Sequence, residues 1–368
     1  MRPTWASVDL GAIAHNAEVL AAAAPGAELC AVVKADGYRH GAVAVARTAL
    51  RAGATWLAVA LVEEGIELRD AGITAPVLVL SEPRPNQMSL VVEYDLTSTV
   101  YTGEGLASIA AAAKQAAARV AVHLKVDTGM RRVGAEPADA VRLADAIEAK
   151  DSLWLAGLWS HCPVADEPDN PFTDQQIGDF AAVVDEVRRA GHEPELVHLC
   201  NSAATLTHPE AHYDMVRCGI ALYGIAPSPA LAGHADLQPA MSLHSEVSFA
   251  KRVRTGTAVS YGHAWTAPTD TTIATIPIGY ADGIPRRLSS LGGEVLVGGR
   301  RCPMVGRITM DQLLVDCGDF AVAAGEPVVF IGRQGDDEIT ATDMALLLDT
   351  IAYEVVCDIG SRVRRRYH

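Results

Sequence analysis

Four apolar runs in this chain end in polar groups of unusual type. Cys30-Ala31-Val32-Val33 closes on Lys34, and a run through Leu158 closes on Ser160-His161. A third closes on Asn201-Ser202-Ala203-Ala204, and a fourth carries Arg217-Cys218-Gly219-Ile220. Burial at the end of an apolar strand disfavours the charged form of a lysine, which makes Lys34 a Schiff-base or general-base candidate. Serine and glycine amides at neighbouring strand ends supply uncharged donors of the kind that cradle a phosphate. A Schiff-base lysine opposite such a cradle is the arrangement expected for pyridoxal 5'-phosphate.

Those groups meet only if the strands are parallel and closed on one another. The strand candidates are Cys30–Lys34, Trp56–Leu61, Val77–Ser81, Thr97–Tyr101, Ala121–Asp127, Leu155–His161, Leu196–Asn201 and Met215–Leu222. Between most of them lie alanine-rich amphipathic stretches such as Glu104–Ala118 and Thr173–Ala190, and a helix is expected ahead of them at Leu10–Ala24. Eight βα units predict an N-terminal (β/α)8 TIM-type barrel over 1–235, with its chemistry at the C-terminal ends of the strands. After Pro227-Ser228-Pro229 the rhythm changes to short alternating runs, such as Ser242–Val253, Thr272–Pro277, Gly293–Val297 and Pro327–Ile331, with one helix candidate at Ala341–Thr350. This predicts a C-terminal mainly β domain over 236–368, and an α/β fold class for the whole.

The 368 residues include 30 basic and 45 acidic side chains, a formal net charge of −15, and only five lysines. Such a chain lacks the clustered cations that bind nucleic acid. The run Arg362-Val363-Arg364-Arg365-Arg366 reads as a solvated C-terminal strand. No apolar stretch approaches the length of a membrane helix, and the N-terminus lacks the apolar run of a secretory signal. Seven scattered cysteines without a Cys-x-x-Cys pair fit reduced thiols in a cytoplasmic protein. No metal site is expected, because the histidines do not fall into paired ligand spacing.

Val33-Lys34-Ala35-Asp36-Gly37-Tyr38-Arg39-His40-Gly41 resembles the cofactor-lysine motif of alanine racemases. The resemblance continues in order through His123–Met130, Ser160-His161, Asn201-Ser202-Ala203, 217–224, 259–262, 277–283, 305–312 and Tyr353-Glu354-Val355. It implies a pyridoxal-phosphate racemase that interconverts L- and D-alanine, working as a homodimer and supplying D-alanine for peptidoglycan. Lys34 then holds the cofactor and serves as base on one face of the substrate. Tyr261, reaching in from the partner subunit, serves on the other, tuned by His161 and through it Arg217. By the same resemblance Arg217 faces the pyridine nitrogen. The cofactor is held by Tyr38, Asn201, Ser202, Gly219, Ile220 and Tyr353. Arg132 contacts the substrate carboxylate, and Lys125 matches a lysine that is carbamylated in part of the family. Met310, Asp311 and Tyr280 line the substrate pocket.

The chain departs from the family pattern at Arg39 and Arg131, both usually glycine, and at Cys218, where proline is common. A decarboxylase of the same fold needs a carboxylate where Arg217 stands. A non-catalytic carrier of the cofactor is usually a single domain, without the β-domain that carries Tyr261, Tyr280 and Met310.

Overall fold

The computed structural model describes residues 2–368, and the chain divides into two compact units. One runs over Ala12–Gly37 and Gly41–Gln238; the other holds the segment through Gly11, Tyr38–His40 and Pro239–His368. The break therefore falls between Gln238 and Pro239, and the first strand, β1 (Thr4–Val8), sits in the C-terminal unit rather than leading into the barrel.

The barrel strands are β2 (Glu28–Val32), β3 (Trp56–Val59), β4 (Val77–Val79), β5 (Thr97–Val100), β6 (Val120–Lys125), β7 (Leu153–Trp159), β8 (Leu196–His198) and β9 (Met215–Cys218). They are parallel in the order β8-β7-β6-β5-β4-β3-β2-β9. Asp214 N to Val197 O at 3.0 Å and Arg217 N to Cys200 O at 3.0 Å link the two ends and nearly close the barrel. Strands covered on both faces are buried throughout: β4 is an unbroken apolar run, and β9 is buried at every position although Arg217 interrupts its apolar residues. The covering helices show the 3.6-residue stripe: Phe172–Arg189 buries Thr173, Gln176, Phe180, Val183, Val184 and Val187.

Several strands end earlier than the sequence predicts, for identifiable reasons. After β2 the backbone enters a left-handed turn at Ala35, Asp36, Gly37, Tyr38 and Arg39, with φ of 54°, 55°, 59°, 51° and 63°. Only glycine takes that conformation without steric penalty. Gly37 N to Val33 O (2.8 Å), Gly41 N to Asp36 O (2.9 Å) and Ala42 N to Asp36 Oδ1 (3.0 Å) hold the barrel side of the turn. After β9, Gly219 at φ −105° and ψ −95° ends the expected strand 215–222, and Ile220–Tyr223 forms a 3-10 turn.

In the second unit a ten-stranded sheet places β1 between two partners. Met241–Glu246 pairs antiparallel, from Thr4↔Ser245 to Val8↔Met241, and Arg364–Tyr367 pairs parallel. Both β1 and Met241–Glu246 alternate buried and half-buried residues, the signature of a sheet with one core face. The arginine run forms the expected C-terminal strand, with Arg362, Arg364 and Arg366 exposed and Arg365 half-buried. Arg365 donates to the carbonyls of Arg39, Ile359, Gly360 and Val363, and the Arg366 guanidinium lies 3.9 Å from the Trp5 ring centre.

Arg131 also adopts a left-handed conformation, with φ 55°. Its ion pair with Glu136 (3.3 Å) is exposed and contributes little. Replacing Arg131 with glycine is therefore expected to stabilise the protein by about 0.5 kcal/mol in chemical unfolding, and Arg39→Gly in the same direction. Destabilisation by both would contradict the strain argument.

Candidate active site

The barrel unit brings Lys34, Lys125, Arg132, His161, Asn201, Ser202, Arg217, Gly219 and Ile220 to the strand ends and the loops after them. Arg217, the third residue of β9, is buried, and four groups hold its guanidinium. Nη1 donates to His198 Nδ1 at 2.6 Å. Nη2 donates to Ser160 O at 2.8 Å, Leu199 O at 2.9 Å and, more weakly, His161 Nδ1 at 3.4 Å. The cation also lies 4.7 Å from the centre of the Trp159 ring.

An arginine only donates, so the ring nitrogens that meet it must accept. His198 then carries its proton on Nε2 and donates it to His123 Nδ1, 2.9 Å away. His161, accepting at Nδ1, carries its proton on Nε2. These tautomers follow from the hydrogen-bond network. Burial, reinforced by the Arg217 charge, lowers all three imidazoles, His123 to about 3 and His161 and His198 well below 6.5.

Lys125 ends β6 with its ammonium 4.4 Å from the other flank of the arrangement, the Trp159 ring centre. Burial first, and then the charges of Arg217 and Arg132, lower its pKa to about 8. Arg132 is exposed on the loop that follows. Asp127, accepting from the amides of Gly129 (2.9 Å) and Arg131 (3.0 Å), shapes that loop.

After β8, Asn201 caps the helix Ser202–Thr207. Its Oδ1 accepts from the Ala203 and Ala204 amides, and its Nδ2 donates to Cys162 O at 3.1 Å. Expected as a cofactor contact, Asn201 also holds the two strand-end loops through its side chain. Ser202 Oγ accepts from the Gly219 amide at 2.9 Å, so that amide is committed within the protein, while the serine proton is free to donate onward. Ile220 opens its 3-10 turn, where the first amides have no partner within the turn.

The second unit carries Tyr38, Tyr261, Tyr280, Met310, Asp311 and Tyr353. Tyr38 and Tyr353 pack with ring centres 6.3 Å apart, and burial raises the Tyr38 phenol, keeping it a neutral donor. Tyr261 begins a 3-10 turn after Ser260, whose hydroxyl donates to Arg307 O at 2.8 Å. With Gly262, Arg307, Thr309 and Gln312 it lines an open cavity of about 430 Å³. Gly279 allows Tyr280 N to reach Thr309 O at 3.0 Å, because a Cβ there would lie 2.2 Å from that oxygen. Tyr261, Met310 and Tyr280 are 72%, 52% and 43% exposed. Asp311 is paired with Arg362 at 2.6 Å, and buried Asp282 binds Arg2 (2.7 Å) and Arg362 (3.3 Å) behind it.

Trp159, His198, His123 and Gln176 are not among the residues that the sequence points to. Gln176 Nε2 donates to His161 O at 3.0 Å and Thr128 Oγ1 at 3.1 Å, fixing the loop after β7. One signal is present in the sequence: Gln176 interrupts the apolar stripe of its helix.

The lowered imidazoles set a pH dependence. Above pH 6.5 these groups are neutral whether the chain is folded or unfolded. Below it the unfolded chain takes up protons that the folded chain refuses, so stability falls by about 1.4 kcal/mol per pH unit for each buried imidazole. His123→Gln should flatten the fall in urea-unfolding stability between about pH 6 and pH 4 by that amount. An unchanged slope would show that His123 is protonated in the folded state.

Two family models match the chain: "Alanine racemase, N-terminal domain" over residues 8–227 and "Alanine racemase, C-terminal domain" over 240–367. An alanine racemase of Symbiobacterium thermophilum is 47% identical over 368 residues, covering 100% of this chain and 97% of that protein. One from Mycobacterium tuberculosis is 46% identical over 369 residues, covering 98% and 95%. The crystal structure of alanine racemase from D-cycloserine-producing Streptomyces lavendulae superposes with a TM-score of 0.95 at 41% identity, covering 100% of this chain and 97% of that one. Matched along its whole length at such identity, the chain belongs to the alanine racemase family.

Proposed function

We propose that the chain interconverts L- and D-alanine with bound pyridoxal 5'-phosphate, moving the α-proton between two bases, and that it acts in the cytoplasm to supply D-alanine for peptidoglycan. The observation that carries this reading is the buried Arg217 guanidinium donating to His161, on the same barrel mouth as Lys34. When bound, the cofactor supplies a covalent attachment for the substrate amine and a conjugated ring that acidifies the α-hydrogen.

The donor set fits that group. The Ser202 hydroxyl, the Ile220 amide and the phenols of Tyr38 and Tyr353 would bind the phosphate without a full cation. Arg217 would face the ring nitrogen. It cannot surrender a proton there, so it favours an unprotonated ring suited to simple proton removal and return. Lys34 would anchor the cofactor and take the α-proton from one face.

Tyr261 would act on the opposite face, from the partner subunit of a homodimer. A phenol with an ordinary pKa of about 10 needs help to act as a base near neutrality. His161, with its proton on Nε2, would donate to that phenol oxygen and favour its ionised form. The exposure of Tyr261, Met310 and Tyr280 on one unit supports their use against a second copy. Arg132 would take the substrate carboxylate, with Met310, Asp311 and Tyr280 around it. At a pKa of about 8, roughly a tenth of the Lys125 amine is uncharged at pH 7, the form that carbon dioxide carbamylates.

Two experiments test the assignment. In deuterated water Tyr261→Phe should still exchange the α-hydrogen of D-alanine through Lys34 and lose exchange of L-alanine. Equal loss with both enantiomers would contradict face-specific bases. Separately inactive Lys34→Ala and Tyr261→Ala subunits, unfolded and refolded together, should recover about a quarter of native activity. Half of the dimers are then hybrids, each with one intact composite site. No recovery would place both residues of a site in one subunit.

A further inference from the structure

We propose that Cys302 and Cys317 form a redox-active dithiol that a peroxide closes to a reversible cross-strand disulfide, stapling the hairpin that carries Met310 and Asp311. The strand Arg300–Val305 and the strand Leu313–Asp316 pair antiparallel with Met304↔Val315 and Val305↔Leu314. Continuing that register sets Cys302 directly across from Cys317.

The backbone shows which kind of pair this is. Met304 N donates to Gly293 O at 2.8 Å, so the even residues of the first strand turn their amides toward the neighbouring strand Glu294–Val297. Cys317 N donates to Thr272 O at 2.9 Å, on its own far side. Neither cysteine turns its amide toward the other, so they occupy a non-hydrogen-bonded position. There the Cα atoms approach to about 4.5 Å, within the range a disulfide spans.

Both side chains are buried, yet both line a surface cavity of about 400 Å³ together with Arg300, Asp316 and Phe320. Space of that size admits a peroxide. The Cys317 thiol favours the Cys302 thiolate and lowers its pKa, while Cys317 is raised, which sets the order of attack.

The Cys302 thiolate attacks one peroxide oxygen. The O–O bond breaks, a sulfenic acid forms on Cys302, and the other oxygen leaves as hydroxide, protonated to water. The Cys317 sulfur then attacks the Cys302 sulfur. The S–S bond forms, the S–O bond breaks, and the hydroxyl leaves as a second water with the Cys317 proton. Two electrons pass from the sulfurs to the peroxide. The product closes the segment 302–317 into a ring, with Met310 and Asp311 on its connecting loop.

The purified holoenzyme is treated with hydrogen peroxide, its remaining thiols are alkylated, and non-reduced peptides are mapped by mass. The expected result is one linked peptide joining Cys302 to Cys317, lighter by two hydrogens and split again by dithiothreitol. Amides over 306–312 should also exchange hydrogen several-fold more slowly in the oxidised protein. Cys302→Ser and Cys317→Ser should each lose both responses. Free alkylation of both cysteines after peroxide, cross-links that omit this pair, or unchanged exchange over 306–312 would each overturn the proposal. The readout is cysteine chemistry, so it stands or falls separately from racemisation.

Discussion

A guanidinium buried in a barrel without a carboxylate beside it is the constraint on which this site depends. Removing such a cation from water carries a penalty of several kcal/mol unless acceptors replace the lost water. Arg217 meets it with two carbonyls, two imidazole nitrogens and the face of Trp159. Each partner is thereby fixed as an acceptor. The cation sets the tautomers of His198 and His161, and burial, reinforced by its field, keeps those imidazoles and His123 neutral. The same burial keeps nearby sulfurs as thiols, with Cys162 raised to about 11 and Cys218 to about 12.

The second unit inverts that arrangement. Its buried charge is the Asp282 carboxylate, compensated by Arg2, Arg362 and the Gly279 amide. That centre ties the N-terminal segment, the turn with Tyr280 and the C-terminal arginine run into one support for the loop of Met310 and Asp311. The net charge of −15 therefore says little about the site. The candidate site carries one buried arginine, Arg217, one exposed arginine, Arg132, and two lysines, Lys34 and Lys125.

The barrel strands and the candidate lysine, Lys34, are legible in the sequence because a parallel strand buried on both faces is mostly apolar, and its mouth takes a polar end. The bounds shift where a backbone feature overrides the pattern: the left-handed turn after Val33 and the break at Gly219. Strand β1 is hidden because five residues with alternating burial read as an irregular N-terminus, and its antiparallel partner lies more than two hundred residues away. His123 and His198 carry no sequence signal, since a histidine inside an apolar strand looks like a satisfied core residue. Only the fold reveals that Arg217 satisfies one and leaves His123 Nε2 without a partner. Glycine at the family positions of Arg39 and Arg131 is explained by their positive φ, which sequence alone does not display.

Arg217 fixes a row of neutral imidazoles, each protonated on Nε2. Nitrogen-15 NMR of histidine-labelled protein at about pH 5.5, with His123, His161 and His198 assigned by substitution, reads both properties at once. Three neutral rings are expected at that pH, each with the proton on Nε2 and a bare Nδ1. A ring at any of the three positions that titrates near 6.5, or carries its proton on Nδ1, would contradict this role for Arg217.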